Sequence, residues 1–361
     1  MGIRCGSQVT LCEYPVGFDT YSGCSHGCRY CFAQTKVNLD EIRVDNSAKA
    51  LRNFISGKRT QVTNWCDWAI PLHWGGVSDP FQPAERRGGA SLECLKILAE
   101  TGYPVIISTK GKLLTEEPYL SILRRCNAVV QVSMVCSTYD KLEPGAPPFE
   151  ERLKMLERLA GSCKRVVVRA QPYITSIKAE FLANVPRMAD AGAGAVTVEG
   201  MKFKSGKPGL VKQGGDFCYP EALLEAHYGE IRDACHESGL KFFCAENRLR
   251  GMGDGTACCG CGDLPGFAGN PFNVVSCANG SKAAPTERMR KKGTAECFKA
   301  LHQDKPSCLA LKKRSFAEQM AIEADSMQKS YLAHTEAETL PTRSQARAWV
   351  RTTCASPPAV R

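Results

Sequence analysis

The sequence lacks any run of about 18 apolar residues, the length that a helix needs to cross a bilayer. No basic-then-apolar leader stands at its N-terminus. The 20 cysteines are scattered through 361 residues and do not form the regular framework of a small secreted disulfide protein. These absences predict a cytoplasmic protein that does not insert into membranes and whose cysteines bind metals or pack as small hydrophobic side chains.

The first dense cysteine motif occupies residues 23–33, which read GCSHGCRYCFA. Its three cysteines suit a loop that binds one metal centre and leaves one coordination position open. Two alternatives use the same residues: a disulfide pair with a spare cysteine, or a structural zinc site whose fourth ligand is distant or is His26. Structural zinc sites usually combine two separated C-x2-C units, and no second unit lies nearby, so the spacing favours an iron–sulfur centre.

The spacing C-x3-C-x2-C, with an aromatic residue before the third cysteine, resembles the signature of the radical S-adenosylmethionine (SAM) superfamily. The resemblance implies that Cys24, Cys28 and Cys31 bind three irons of a 4Fe-4S cluster, and that SAM binds the fourth iron. By the same analogy, Tyr30 lies near the adenine of SAM. A one-electron reductant such as flavodoxin or ferredoxin is then the expected partner.

A second motif follows an apolar stretch and reads GGVSDPFQP over residues 75–83. A glycine pair lets the backbone approach a ligand closely, although it also occurs in ordinary turns. The longer run resembles enzymes grouped with spore photoproduct lyase. This resemblance implies that Gly75 and Gly76 contact the methionine moiety of SAM.

Short β-branched runs alternate with helical patterns from residue 15 to residue 200, which predicts an α/β fold with a parallel sheet buried on both faces. Together with the resemblance, this predicts a partial (β/α)6 TIM-type barrel over residues 1–240. The predicted strands are 15–21, 69–74, 104–110, 129–134, 165–172 and 195–200. The main predicted helices are 91–101, 119–125, 148–159, 178–191 and 219–238.

Chemistry in barrels lies at the carboxyl ends of the strands, so polar residues there are candidate site residues. The resemblance assigns contacts with SAM to Ser133 and Arg169, although Arg169 has the alternative of a structural salt bridge with Glu199. Lys110 and Asp79 are candidates for substrate contact or for polar packing at the barrel mouth.

Spore photoproduct lyases use a hydrogen-donating cysteine and tyrosine pair. In this chain Cys136 and Tyr139 lie near a predicted strand end, which makes Cys136 a candidate catalytic residue. The match is loose, so repair of thymine dimers does not follow from the sequence.

A glycine-rich segment, residues 241–280, contains a second cysteine group. It is a candidate site for an auxiliary iron–sulfur cluster or zinc, although its spacing matches no standard pattern and one cysteine has the alternative role of hydrogen-atom donor. The candidate ligands are Cys244, Cys258, Cys259 and Cys261, with Cys277 beyond them.

Residues 281–361 contain 15 Lys and Arg against 8 Asp and Glu. They are predicted to form a basic, mostly helical extension, with helices at 293–302 and 315–333 and a disordered end. This charge suits nucleic acid or another polyanion, or simply a solvated helical surface. Two functions therefore stay open: a radical SAM enzyme with an unidentified substrate, or a non-catalytic metal-binding protein that binds nucleic acid through this extension. The barrel pattern favours the enzyme, since an adaptor protein has no need of six strand–helix units.

Overall fold

The computed structural model describes residues 2–5, 12–35, 37–56, 69–213, 215–267 and 269. Ten strands lie within these ranges, and the four longest, 105–109, 128–133, 165–173 and 195–200, contain the β-branched residues that favour a buried sheet. The ten strands are β1 (Arg4–Cys5), β2 (Val16–Phe18), β3 (Leu72–Trp74), β4 (Val105–Thr109), β5 (Ala128–Ser133), β6 (Arg165–Tyr173), β7 (Ala195–Gly200), β8 (Val211–Gln213), β9 (Asp216–Cys218) and β10 (Lys241–Cys244).

Seven α-helices alternate with these strands in the described part of the chain. The five main predicted helices between residues 91 and 238 are present, with ends that differ from the prediction by a few residues. The helices are α1 (Ser47–Ile55), α2 (Glu85–Gly88), α3 (Ala90–Thr101), α4 (Tyr119–Leu123), α5 (Phe149–Leu159), α6 (Lys178–Asp190) and α7 (Glu221–Glu237). None of the helices in the described ranges is long and apolar enough to span a bilayer.

The main sheet has the strand order β1-β2-β3-β4-β5-β6-β7-β10. All neighbours from β2 to β10 are parallel, and β1 pairs with β2 in the antiparallel direction at one edge. The predicted α/β fold with a partial TIM-type barrel is therefore confirmed. The sequence predicted six strands, whereas β10 adds a seventh parallel strand, so the barrel sheet continues beyond the predicted domain boundary at residue 240.

The barrel interior is apolar near the amino ends of the strands and polar further along them. Alternate residues of a strand face the same side of a sheet, so positions two apart share the interior. The apolar part is closed by the segment that follows β10, and the buried residues in contact there are Tyr14, Ile106, Val129, Val167, Ala195, Phe243, Ala257, Cys259, Cys261 and Phe267. The polar part faces the other end, where the cavity lies.

Several sequence predictions lie outside the described residues. These are the basic extension from residue 281 onward, its helices at 293–302 and 315–333, and Cys277. Their structure and roles stay predictions.

Candidate functional site

A cavity of about 230 Å³ opens at the carboxyl ends of the parallel strands. Nearly all residues that the sequence motifs singled out for this end of the barrel line it together, although they come from separate strands and loops. These are Cys24, Cys28, Tyr30, Cys31, Gly75, Gly76, Asp79, Lys110, Ser133, Arg169 and Glu199. The fold thus brings the cysteine motif, the glycine motif and the polar residues at the strand ends together around one cavity.

The loop that contains the three cysteines, residues 22–31, is neither helix nor strand. Neighbouring loops hold it by backbone hydrogen bonds: the Cys24 amide donates to Leu39 O at 3.0 Å, and the Arg29 amide donates to Leu142 O at 2.9 Å. Within it, Gly27 has a φ of 60°, a conformation that favours glycine. We call this segment the cluster loop.

Two of the cluster-loop thiols, Cys24 and Cys28, have environments that favour the protonated form. Burial raises the pKa of Cys24 to about 12, and the nearby Asp79 carboxylate adds to this effect. Burial also raises the pKa of Cys28, against the opposing effect of Lys110. A metal centre binds thiolates, so loading the site must release these protons.

The two glycines of the second motif have different roles. Gly75 has a φ of 91°, and a Cβ there would lie 2.3 Å from Ser108 O, so only glycine fits the turn after β3. At Gly76 the nearest atom to an added Cβ is Arg4 Nη2, at 3.8 Å. Gly75 is therefore required by the fold, whereas Gly76 leaves open space in the cavity wall.

Tyr30 is anchored by a buried charged pair. Its hydroxyl donates a hydrogen bond to Glu143, which also forms an ion pair with Arg152. Glu143 and Arg152 are 2% and 1% exposed. Lys110 Nζ lies 3.8 Å from the Glu143 carboxylate and 5.9 Å from the centre of the Tyr30 ring. The predicted substrate contact Lys110 thus belongs to the network that fixes the cluster loop.

Arg169 points into the polar interior of the barrel. Its guanidinium donates to Gln171 Oε1 at 2.5 Å, and to Ser108 Oγ and Gln131 Oε1 at 3.1 Å each. Arg169 is linked to Glu199 through Gln171 and not by the direct salt bridge that the sequence left open. Gln171 accepts a hydrogen bond from Arg169 and donates one, through Nε2, to the Glu199 carboxylate. Arg169 lines the cavity with part of its hydrogen-bonding capacity already used.

Glu199 lies at the end of β7, where its carboxyl group faces the cavity. Burial raises its pKa from 4.5 to about 7; Lys202 opposes the rise, and Glu246 adds to it. Lys202 Nζ lies 3.9 Å from Glu199 but 2.6 Å from Glu246, which is its closer partner. The cavity thus contains a carboxyl group that changes its protonation near neutral pH.

Asp79 is fully occupied by protein contacts. One carboxylate oxygen accepts hydrogen bonds from Thr109 Oγ1 at 2.7 Å and from the Phe81 amide at 2.8 Å. The other accepts from the Lys110 amide at 2.6 Å and lies 3.0 Å from His26 Nε2. His26 and these hydrogen bonds outweigh burial and lower the pKa of Asp79 to about 2. The geometry favours the packing alternative over substrate contact.

Cys136 does not line the cavity, although it follows β5 directly. It is 1% exposed, and burial with a hydrogen bond to Glu180 raises its pKa to about 12. Tyr139 is also buried and donates to Pro172 O at 2.6 Å. The catalytic role of Cys136 stays a prediction, without support from the arrangement of this pocket.

The described cysteines of the second group do not share one end of the barrel, because Cys244 ends β10 at the carboxyl ends of the strands. Cys259 and Cys261 pack in the apolar part of the interior, and Gln131 Nε2 donates to Cys259 O at 3.2 Å. Cys258 contacts Cys259 and interacts with Cys12, from the far end of the chain. Cys244 neighbours Glu246 and Arg250 instead. Metal binding by this group stays a prediction, and the sequence did not signal the proximity of Cys12.

No three His, Cys, Asp or Glu side chains in the described ranges stand close enough to hold a single metal ion. This holds for both cysteine groups as they are placed. A structural zinc site draws four ligands around one ion at about 2.0 to 2.3 Å. The described residues, as placed, contain no such site.

Residues that the motifs did not identify as site residues complete the structure around the cavity. They include Glu143 and Arg152, whose charges are buried and which lie in a loop and in α5. Their only signal in the sequence is a charged residue beside a predicted strand or helix. Gln171, which connects Arg169 with Glu199, differs because it is one of the polar residues at the ends of the predicted strands.

No protein-family model matches the chain. Uncharacterised proteins of Mycobacterium bovis and Mycobacterium tuberculosis are 29% identical to it over 210 residues, which cover 52% of this chain and 59% of theirs. The chain therefore spans less than two thirds of the length of these curated relatives.

Solved structures of spore photoproduct lyase, a radical SAM enzyme, are similar in fold. A complex with dinucleoside spore photoproduct matches with a TM-score of 0.52 and 16% identity, over 64% of this chain and 77% of that chain. A mutant with bound AdoMet and dinucleoside spore photoproduct matches with a TM-score of 0.51 and 16% identity, over 67% and 80%. At this identity the likeness shows the fold alone: the described part of the chain folds like spore photoproduct lyase.

Proposed function

We propose that the chain is a radical SAM enzyme with its active site in the cavity at the carboxyl ends of the barrel strands. The observation that carries this proposal is that the three cluster-loop cysteines, the Gly75-Gly76 turn and Arg169 line one cavity. The radical SAM fold adds independent support, since the motifs and the architecture lead to the same family of enzymes.

The residues present fit a 4Fe-4S cluster and SAM. Three thiols from one loop line the cavity. The space beside Gly76 is open because glycine has no side chain, and a larger residue there would narrow the cavity. When bound, the cluster and SAM supply a 5′-deoxyadenosyl radical, which abstracts hydrogen from a substrate. In this assignment Cys24, Cys28 and Cys31 hold the cluster.

The chain's own side chains bind and orient the cofactor and exclude water. Gly76 makes room for the methionine moiety, Tyr30 flanks the adenine, and Ser133 and Arg169 bind polar groups of SAM. The buried pair of Glu143 and Arg152 fixes Tyr30 and places Lys110 at the cavity edge, where it is the candidate for substrate contact.

The substrate is a separate question. The described neighbours act on or bind a dinucleoside spore photoproduct, but Cys136 does not reach this cavity, so we do not extend photoproduct repair to this chain. The cavity edge carries Lys110, Lys202 and the protonatable Glu199.

A one-electron donor such as flavodoxin or ferredoxin is the proposed redox partner.

The test is anaerobic reconstitution with iron and sulfide, with wild type compared with a variant that combines Cys24→Ala, Cys28→Ala and Cys31→Ala. We expect about four irons per wild-type chain and none at this site in the variant. About eight in the wild type and four in the variant would add a second cluster at the Cys258 group. Bound zinc without iron would favour the alternative of a metal-binding protein that contacts nucleic acid.

A further inference from the structure

Gln82 belongs to the run after Gly75-Gly76, and its side chain is completely buried. It does not line the cavity. Its amide oxygen accepts a hydrogen bond from the Ser25 backbone amide at 2.8 Å, and its amide nitrogen donates to Gly23 O at 2.8 Å. One side chain therefore bonds the backbone on both sides of Cys24.

Asp79, three residues before Gln82, holds the next part of the same loop. Its carboxylate lies 3.0 Å from His26 Nε2, while the other ring nitrogen of His26 lies 3.0 Å from Gly145 O. The side chains of Asp79 and His26 are 6% and 3% exposed. The His26 ring thus lies between the Asp79 carboxylate and Gly145 O, and His26 stands between the first and second cysteines of the motif.

These contacts compensate for what the cluster loop lacks. The loop contains Gly23 and Gly27 and has no helical or strand hydrogen bonds to order it. Fixing the backbone of one residue costs about 1 to 2 kcal/mol of conformational entropy, so a loop of this kind needs bonds to its surroundings. Hydrogen bonds from a buried side-chain amide can order such a loop, because breaking them leaves buried polar groups without hydrogen-bond partners.

We propose that Gln82 is a positioning residue that holds the cluster loop ready to bind its metal centre, by bonding the backbone on either side of Cys24. Asp79 has the same role through His26. This inference rests on the proposed function for the identity of the bound centre, whereas the bonds themselves belong to the metal-free chain. Residues 79–83, which read DPFQP, thus have a role in organising the cluster loop.

The experiment compares Gln82→Leu with Gln131→Leu. Gln131 is a matched control for the two readouts, because it is 1% exposed and bonds Ser108, Arg169 and Cys259 O but does not contact the cluster loop. Two readouts are used: hydrogen–deuterium exchange of the peptide covering residues 22–32 in the metal-free chain, and the rate at which EDTA removes iron after reconstitution. Gln82→Glu, which keeps an acceptor for the Ser25 amide, is the second variant in case Gln82→Leu does not fold.

We expect Gln82→Leu to increase both rates about tenfold, Gln82→Glu to increase them at least as much because its carboxylate faces Gly23 O with an acceptor instead of a donor, and Gln131→Leu to stay close to wild type. Equal rates in Gln82→Leu and Gln131→Leu would overturn the proposal. If the wild type binds no iron, the proposed function fails, and exchange of the 22–32 peptide alone still decides whether Gln82 orders the loop.

Discussion

The protonation of Glu199 gives a sharp test of the cavity's electrostatics. Burial raises its pKa from 4.5 to about 7, with Glu246 adding to the rise and Lys202 opposing it. Between these two values the folded chain holds a proton that the unfolded chain has released. The free energy of unfolding should therefore fall as pH rises through this window, and the contribution should level off above pH 7.

The magnitude follows from the shift. A displacement from 4.5 to about 7 corresponds to a loss of at most about 3 kcal/mol between pH 4 and pH 8. The Glu199 side chain is 21% exposed, so water screens part of this cost, and we expect about 1 to 2 kcal/mol. Glu199→Gln cannot ionise and should lack this contribution.

The assay is urea unfolding of the metal-free wild type and Glu199→Gln at several values between pH 4 and pH 8. Other titrating groups are common to both chains, so the difference between the two curves isolates Glu199. We expect the variant to gain stability relative to wild type as pH rises. A difference that stays constant across the range would refute the raised pKa and the buried, ionisable state of this carboxyl.

Substitutions at Arg152 and at the two glycines test other parts of the site. Arg152→Met should reduce the free energy of unfolding by about 3 kcal/mol, because it removes the ion-pair partner of the buried Glu143 carboxylate and leaves only Tyr30 and the more distant Lys110 beside it. A loss below about 1 kcal/mol in urea unfolding would contradict the buried pair. Gly75→Ala should destabilise the chain by at least about 1 to 3 kcal/mol through its positive φ and its contact with Ser108 O, whereas Gly76→Ala should fold normally and weaken SAM binding. Equal free energies of unfolding for Gly75→Ala and Gly76→Ala would contradict the assignment of a structural role to Gly75 alone.

The cluster loop and the strand ends could be predicted because their signals are local. A spacing of three thiols, a glycine pair and buried β-branched runs each lie within a few consecutive residues. These signals placed Cys24, Gly76 and Arg169 at one end of a barrel, where the structure brings them together.

The remaining contacts depend on the tertiary fold. Gln82 meets Gly23 across 59 residues, and Gln171 separates Arg169 from Glu199 only because β6 and β7 pair in this register. Sequence likewise cannot separate Gly75 from Gly76, since the difference lies in the position of Ser108 O. Long-range hydrogen bonds leave no periodic pattern along the chain.

The most direct measurement of the central claim is the release of 5′-deoxyadenosine from SAM by the reconstituted chain with dithionite as the electron source. The account predicts release by the wild type and none by the variant combining Cys24→Ala, Cys28→Ala and Cys31→Ala. A reconstituted wild type that holds its cluster but yields no 5′-deoxyadenosine above the level of this variant would contradict it.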